Sequence, residues 1–222
     1  MSGIASHAVD WTEIDTVFVD MDGTLLDLAF DNFFWLELVP ARYAERHGLT
    51  PEAARERLTA RFDAAAGTLS WYCLDHWTRD LDLDIRTLKR SHGHLIRFLP
   101  RAREFLAAVR ARRKGLWLVT NAHRDTLRVK AEQTGVDRLV DSVVCSHDLD
   151  APKESNEFWT ELARRRPFDP QRTLLIEDSL AVLGAAKAFG LKHTLAIRRP
   201  DSRLPARDIT TFRAVDGVSD LV

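Results

Sequence analysis

The sequence predicts an α/β fold, a parallel sheet covered by helices on both faces and interrupted by one long helical insertion. Three observations lead there. Short runs rich in β-branched and apolar residues recur at 16–20 (TVFVD), 116–120 (LWLVT), 142–145 (SVVC), 173–177 (TLLIE) and 194–197 (TLAI), the signature of strands buried on both faces. Helical patterns separate the later runs, which calls for right-handed crossovers between parallel strands. One connection, residues 25–97, contains no convincing buried strand, far beyond the ~2–6 residues usual between neighbouring elements.

In chain order, the first strand ends at Asp20 and gives way to helical stretches at 33–45, 51–66, 68–79 and 84–98. Thr50 can cap the second of these, with Pro51 at the first helical position and Glu52 beside it. The strands at 116–120, 142–145, 173–177 and 194–197 then alternate with helices, giving a Rossmann-like core of about five strands. Residues 198–222 hold Pro200 and Pro205 and show weak periodicity, which predicts a loop with a short terminal helix.

The 222 residues are 45% hydrophobic and 29% charged, an ordinary globular composition that excludes a disordered or collagen-like chain. Lys and Arg number 32 against 33 Asp and Glu, so no global basic field gathers nucleic acid or anionic lipid. Two basic clusters, Arg112-Arg113-Lys114 and Arg164-Arg165-Arg166, each close a helix just before Gly115 or Pro167. There positive charge complements the helix dipole, and a nucleic-acid patch is the alternative. Cys73 and Cys145 lack the paired spacing of a zinc site or a redox dithiol and read as small apolar residues in a reducing compartment. Residues 1–11 show no basic segment followed by an apolar core, and no run approaches the ~18 apolar residues of a membrane span. A cytoplasmic protein without a membrane or a nucleic-acid polymer as partner is expected.

Chemistry concentrates at the strand ends. In Asp20-Met21-Asp22-Gly23-Thr24, the period-two geometry of a strand lets two carboxylates converge at its carboxyl end, while Gly23 lets the chain turn away. A polar strand-to-loop turn explains the same five residues. The second strand ends in Thr120-Asn121, a hydroxyl, an amide and backbone N–H groups at a helix entry, suited to anionic oxygens. Lys153 follows the third strand and Glu177-Asp178 closes the fourth. If these ends share one side of a parallel sheet, carboxylates, a hydroxyl and an ammonium surround one crevice, a site for a hard metal and a phosphate.

With these residues in order, the chain resembles the haloacid dehalogenase superfamily of phosphotransferases, whose four motifs match Asp20 to Thr24, Thr120, Lys153 and Glu177-Asp178. The insertion resembles the family's first-type cap, which implies a core of residues 1–28 and 98–222 and a cap of residues 29–97. The segments DMDGTLLDLAFDN (20–32), WYCLDHW (71–77), TNAH (120–123) and Pro152-Lys153-Glu154 are similar to the bacterial GMP/IMP 5′-nucleotidase subgroup.

The resemblance implies Asp20 as nucleophile, Asp22 as general acid and then base, and Thr120, Asn121 and Lys153 as phosphate-binding residues. It implies Mg²⁺ held by an Asp20 oxygen, the Asp22 backbone carbonyl and Asp178, with Glu177 a further candidate. The expected substrate is a small phosphate monoester, a purine nucleotide such as GMP or IMP, hydrolysed by a monomer or weak homodimer. A sugar-phosphate phosphatase or phosphomutase with the same core, and a non-catalytic phospho-acceptor or nucleotide-sensing module, are the alternatives.

Trp71, Tyr72, His76 and Trp77 fall on adjacent turns of a helical pattern and could stack a purine, while Trp71, Leu74 and Trp77 also share the spacing of a buried stripe. Phe30, Phe33 and Phe34 carry the same ambiguity. His123 and Arg124 follow the phosphate-binding turn, where either a phosphate or ribose contact or a structural role is open. A hinge for cap closure is expected within 25–31.

Overall fold

Strands β1 (Thr16–Val19), β2 (Gly115–Thr120), β3 (Ser142–Cys145), β4 (Thr173–Glu177), β5 (His193–Ile197) and β6 (Ala214–Val215) form one parallel sheet. Their order is β3-β2-β1-β4-β5-β6, so β1 lies inside the sheet with β2 and β4 as neighbours. The structure, a computed structural model, describes residues 9–222. Residues 1–8, part of the expected core segment and of the terminus without a targeting signal, lie outside the described residues.

Register sets the site. Val19 lies opposite Leu118 of β2 and Ile176 of β4, which brings the residues that follow each strand to one level. Alternation along β1 sends Val17 and Val19 into one apolar cluster and Phe18 into another, so both faces of the sheet are buried. The five strands expected from sequence are present, and a sixth joins the edge as a two-residue pairing of Ala214 and Val215 with β5. The chain then ends in a single 3₁₀ turn, Val218–Leu221.

Helices α1 (Ala29–Phe33), α2 (Val39–His47), α3 (Pro51–Ala65), α4 (Leu69–Tyr72), α5 (Leu74–Leu81) and α6 (Ile85–Ser91) occupy the long connection. A wider π-type turn, Phe34–Leu38, joins α1 to α2. It precedes Pro40, which has no N–H and whose ring would crowd the carbonyl four residues earlier in a regular helix. Thr50 caps α3 by accepting from Ala53 N at 3.2 Å, as its sequence predicts.

The helix expected at 68–79 is in fact two. Cys73 is extended (φ −86°, ψ 112°) and separates α4 from α5. The indole N–H of Trp77 donates to Trp71 O at 2.7 Å, satisfying a carbonyl that the break leaves without its helical partner. Trp71 and Tyr72 are therefore not on the same continuous helix as His76 and Trp77. The stretch at 84–98 also stops early, with α6 followed by a 3₁₀ turn, Gly93–Leu95.

The two strands of chain entering and leaving the insertion are tied together. Leu99 N donates to Leu25 O at 2.8 Å and Asp27 N to Arg97 O at 2.9 Å. Helices α7 (Ala102–Ala111), α8 (Arg124–Thr134), α9 (Asn156–Arg165) and α10 (Leu180–Phe189) cover the sheet. The basic clusters largely engage local partners: Arg164 and Arg165 pair with Glu161, Arg166 with Ser142, and Arg112 bonds Ala108 O while lying over the Trp11 ring. No described helix is long and apolar enough to cross a membrane.

Candidate active site

The carboxyl ends of β1, β2 and β4 open on a cavity of about 250 Å³ bounded on its far side by the helical insertion. Asp20, Asp22, Thr120, Asn121, Lys153, Glu177 and Asp178, all expected from sequence, line it. All but Lys153 sit at or just beyond the end of β1, β2 or β4, the place in an open α/β sheet where side chains are released from the ladder, and Lys153 reaches in from the loop that follows β3.

Lys153 organises the floor. Its ammonium donates to Asp20 Oδ1 at 2.5 Å, Glu177 Oε2 at 2.7 Å and Val119 O at 2.9 Å, and the side chain is almost wholly buried. Glu177 accepts at its other oxygen from the N–H groups of Asp178 and Ser179, both at 3.0 Å. Its carboxylate thus holds Lys153 in place as well as facing the cavity. Thr120 Oγ1 accepts from Ala122 N at 3.0 Å, fixing the turn after β2. Asn121 is held by two bonds: its Oδ1 accepts from Lys153 N and its Nδ2 donates to Glu154 Oε2, both at 2.9 Å. The amide expected to reach a phosphate is here positioning the Lys153 loop.

Burial pushes Asp20 up to about 8, reinforced by Glu177 and opposed by Lys153. Glu177 rises to about 7 and Asp178 to about 6, desolvation again leading in both. One oxygen from each of Asp20, Glu177 and Asp178 lies within 4.8 Å of the others. Three carboxylates against one ammonium sum to a charge of minus two when all are ionised, and all the donors are hard oxygens, so a divalent cation such as Mg²⁺ fits. Gly23 makes the room. At φ +79° it adopts a backbone other residues avoid, and a Cβ there would lie 2.8 Å from both Asp178 Cγ and Pro200 Cβ.

A pH signature follows. A carboxyl whose folded pKa is raised contributes stability that is full below its unfolded value near 4 and is lost as pH rises through the folded value, here about 6 to 8. A cation favours the ionised forms. The increase in Tm produced by saturating Mg²⁺ is therefore expected to grow between pH 5.5 and 8, measured as the difference between loaded and EDTA-treated protein at each pH. An increment independent of pH would contradict the clustering of these carboxyls at a cation site.

Several groups were not assigned from sequence. Lys130 of α8 donates to Asp22 Oδ1 and to Asp31 Oδ2, each at 2.5 Å, and Lys89 of α6 donates to the other Asp31 oxygen at 2.8 Å. Two carboxylates and two ammoniums thus form a balanced group beside the cavity. Removal from water raises Asp22 despite Lys130, whereas at Asp31 the two ammoniums overcome burial and hold the carboxyl at about 2. A signal did exist, since Lys130 shares the buried stripe of α8 with Thr126, Leu127 and Thr134. Glu154, next to Lys153, also accepts from Tyr72 Oη at 2.6 Å, joining the insertion to the Lys153 loop.

Of the aromatic candidates, Trp71 and Tyr72 line the cavity, together with Trp35. Trp77 is fully buried and packs edge-on against Trp71 and Phe62, a core residue of the insertion. His76 and His123 do not line the cavity. His76 packs against Trp77. His123 caps α8 by accepting from Asp125 N at 3.2 Å, with burial lowering its pKa. Arg124 pairs with Asp148. Phe30 and Phe34 are buried and pack on each other, with Lys89 over both rings.

Comparison with known proteins agrees with this geometry. A family model described as haloacid dehalogenase-like hydrolase matches residues 14–190. The GMP/IMP nucleotidase YrfG of Escherichia coli (strain K12) is 41% identical over 194 residues, 87% of each chain. Among solved structures, a HAD phosphatase from Thermococcus onnurineus superposes with a TM-score of 0.76 at 22% identity, covering 94% of this chain and 96% of that one. L-2-haloacid dehalogenase from Xanthobacter autotrophicus superposes at 0.62 with 14% identity, covering 94% and 96%. Because this fold carries both reactions, the reaction has to be argued from side chains.

Proposed function

The chain belongs to the haloacid dehalogenase-like hydrolases, and from that premise we propose that it is a Mg²⁺-dependent 5′-nucleotidase that hydrolyses purine nucleoside monophosphates, GMP and IMP, through an aspartyl-phosphate on Asp20. The observation that carries the chemistry is the placement of Asp20 and Asp22 on the cavity wall, one bonded to Lys153 and the other to Lys130. Carbon–halogen displacement has no need of a second acid–base carboxylate at Asp22. The similarity to the GMP/IMP nucleotidase supports the substrate.

In this reading residues 29–97 are the cap over a core of residues 1–28 and 98–222, and the paired linkers near Leu25 and Leu99 are its hinge. Lys153 holds one oxygen of Asp20, leaving the second to attack phosphorus. The bond from phosphorus to the ribose oxygen breaks, and Asp22 gives its proton to that oxygen. Asp22, now ionised, takes a proton from water as the water attacks phosphorus, the bond to Asp20 breaks and inorganic phosphate leaves. Lys153 and the Thr120 turn offset the charge of the transferring group. Asp20, Asp178 and the Asp22 carbonyl would hold Mg²⁺, which when bound screens the repulsion between the Asp20 carboxylate and the phosphate. Glu177, with both oxygens already bonded, anchors Lys153.

Trp71, Tyr72 and Trp35 supply the aromatic wall against which a purine stacks. In a panel of GMP, IMP, AMP, sugar phosphates and phosphoglycolate, the highest kcat/KM is expected for GMP and IMP. Trp71→Leu should raise the KM for GMP about tenfold while leaving the KM for phosphoglycolate unchanged. A sugar phosphate as the best substrate would favour the sugar-phosphate phosphatase reading, and stable phosphorylation of Asp20 without release of phosphate the sensing module.

A further inference from the structure

The folded chain brings together three side chains that the spacing of the cysteines gave no reason to associate. Cys73 lies at the break between α4 and α5, His123 in the turn after β2 and His147 in the turn after β3. One ligand atom from each lies within 4.8 Å of the others, and none of the three residues is fully exposed. They are separate from the acidic cluster, and none lines the catalytic cavity.

We propose that Cys73, His123 and His147 form a second metal site, for a borderline transition metal of the zinc class, that ties the helical insertion to the loops after β2 and β3. The donor set is one sulfur and two imidazoles, which suits Zn²⁺ and not the Mg²⁺ expected beside Asp20. An independent observation points the same way. His147 Nε2 is withdrawn from solvent and has no hydrogen-bond partner among the described residues, an arrangement that costs stability unless something occupies that nitrogen. The two imidazoles pack edge to face with centroids 4.9 Å apart.

Ligands on a tetrahedral zinc sit about 3.3–3.6 Å apart, so small side-chain rotations close the present spacing. Binding exchanges the Cys73 thiol proton for the metal and releases it to solvent. With the metal on His123 Nε2, the ring proton sits on Nδ1, facing Asp125 Oδ2 at 3.7 Å, an oxygen that already accepts from Arg86 Nε. This costs the capping contact from Asp125 N. Three protein ligands leave the fourth position to water. Because Cys73 is one residue from Tyr72, a bound metal fixes the part of the insertion that borders the cavity.

The site does not rest on the catalytic reading, and its test needs no turnover. Full-length protein stripped with EDTA and dialysed into excess Mg²⁺ is titrated with Zn²⁺ by isothermal calorimetry. One equivalent is expected to bind, weakened at least about tenfold in both Cys73→Ser and His147→Ala and retained in Asp178→Asn. Co²⁺ in place of Zn²⁺ should give thiolate-to-metal charge-transfer absorption in the native protein that Cys73→Ser abolishes, a readout that does not depend on how a histidine variant folds. Zinc should also slow hydrogen exchange across residues 69–76. No binding under excess Mg²⁺, undiminished binding in Cys73→Ser, loss in Asp178→Asn, or unchanged exchange would each overturn the proposal.

Discussion

Asp20→Asn should lower phosphatase turnover by about 10³–10⁵-fold while the protein stays folded. The amide cannot serve as the nucleophile that forms an aspartyl-phosphate, yet it keeps an oxygen for Lys153, whose ammonium donates to Asp20 Oδ1 at 2.5 Å. Stability should move the other way from activity. Burial and Glu177 push the Asp20 carboxyl up to about 8, so near pH 8 the cation-free enzyme holds a costly buried charge that the amide removes. The variant's Tm without Mg²⁺ at pH 8 is therefore expected to equal or exceed that of the parent. Rates are followed as phosphate release from GMP, and the covalent intermediate by mass spectrometry of acid-quenched protein. Substantial turnover in the variant would remove Asp20 as nucleophile; a large loss of Tm would show that its role is in folding.

The sequence exposed the parts of this molecule that depend on neighbours along the chain. Strands β1 to β5 are contiguous apolar runs, and their ends name Asp20, Thr120 and Glu177 because a parallel sheet releases its residues at one edge. What depends on distant partners was hidden. Strand β6 is only Ala214 and Val215, too short for any periodicity and held in place by β5. The break at Cys73 is supported by the Trp77 indole reaching back to Trp71 O, a side-chain bond that helical spacing cannot reveal. Lys130, Asp31 and Lys89 are separated by as many as 99 residues, and each read alone is an ordinary charged residue. The same holds for Cys73, His123 and His147. Where a charged residue fell on a buried helical stripe, as Lys130 does, the sequence carried a usable conflict between pattern and polarity.

The two principal lysines therefore have different tasks. Lys153 pairs with Asp20 and Glu177 on the side of the proposed nucleophile, and Lys130 pairs with Asp22 and Asp31 on the side of the proposed acid–base group. In the proposed mechanism Asp22 has to change protonation within one cycle, giving a proton to the leaving oxygen and taking one from water. Burial raises its pKa and Lys130 lowers it, so the carboxyl sits between two opposed influences of which the second is a single removable charge.

Lys130→Met tests that balance. The substitution keeps most of the apolar stem and leaves Lys89, which bonds Asp31 and acts on Asp22 only through its charge, as the ammonium beside both carboxylates. Breaking a buried pair by removing one partner costs about 3–5 kcal/mol, to be measured by urea denaturation. Loss of the cation that lowers Asp22 raises its pKa further, so the residue stays competent as an acid and fails as a base at neutral pH. The second step should slow more than the first. The expected results are a fall in turnover of about 10²-fold, an acidic limb of the pH–rate profile displaced to higher pH, and a burst of nucleoside release with accumulation of phosphorylated Asp20. Asp31→Asn combined with Lys130→Met removes a carboxylate along with the ammonium and should lose less stability than the two single variants together. Additive losses with an unmoved acidic limb would make Lys130 a packing residue and leave Asp22 to be tuned by burial alone.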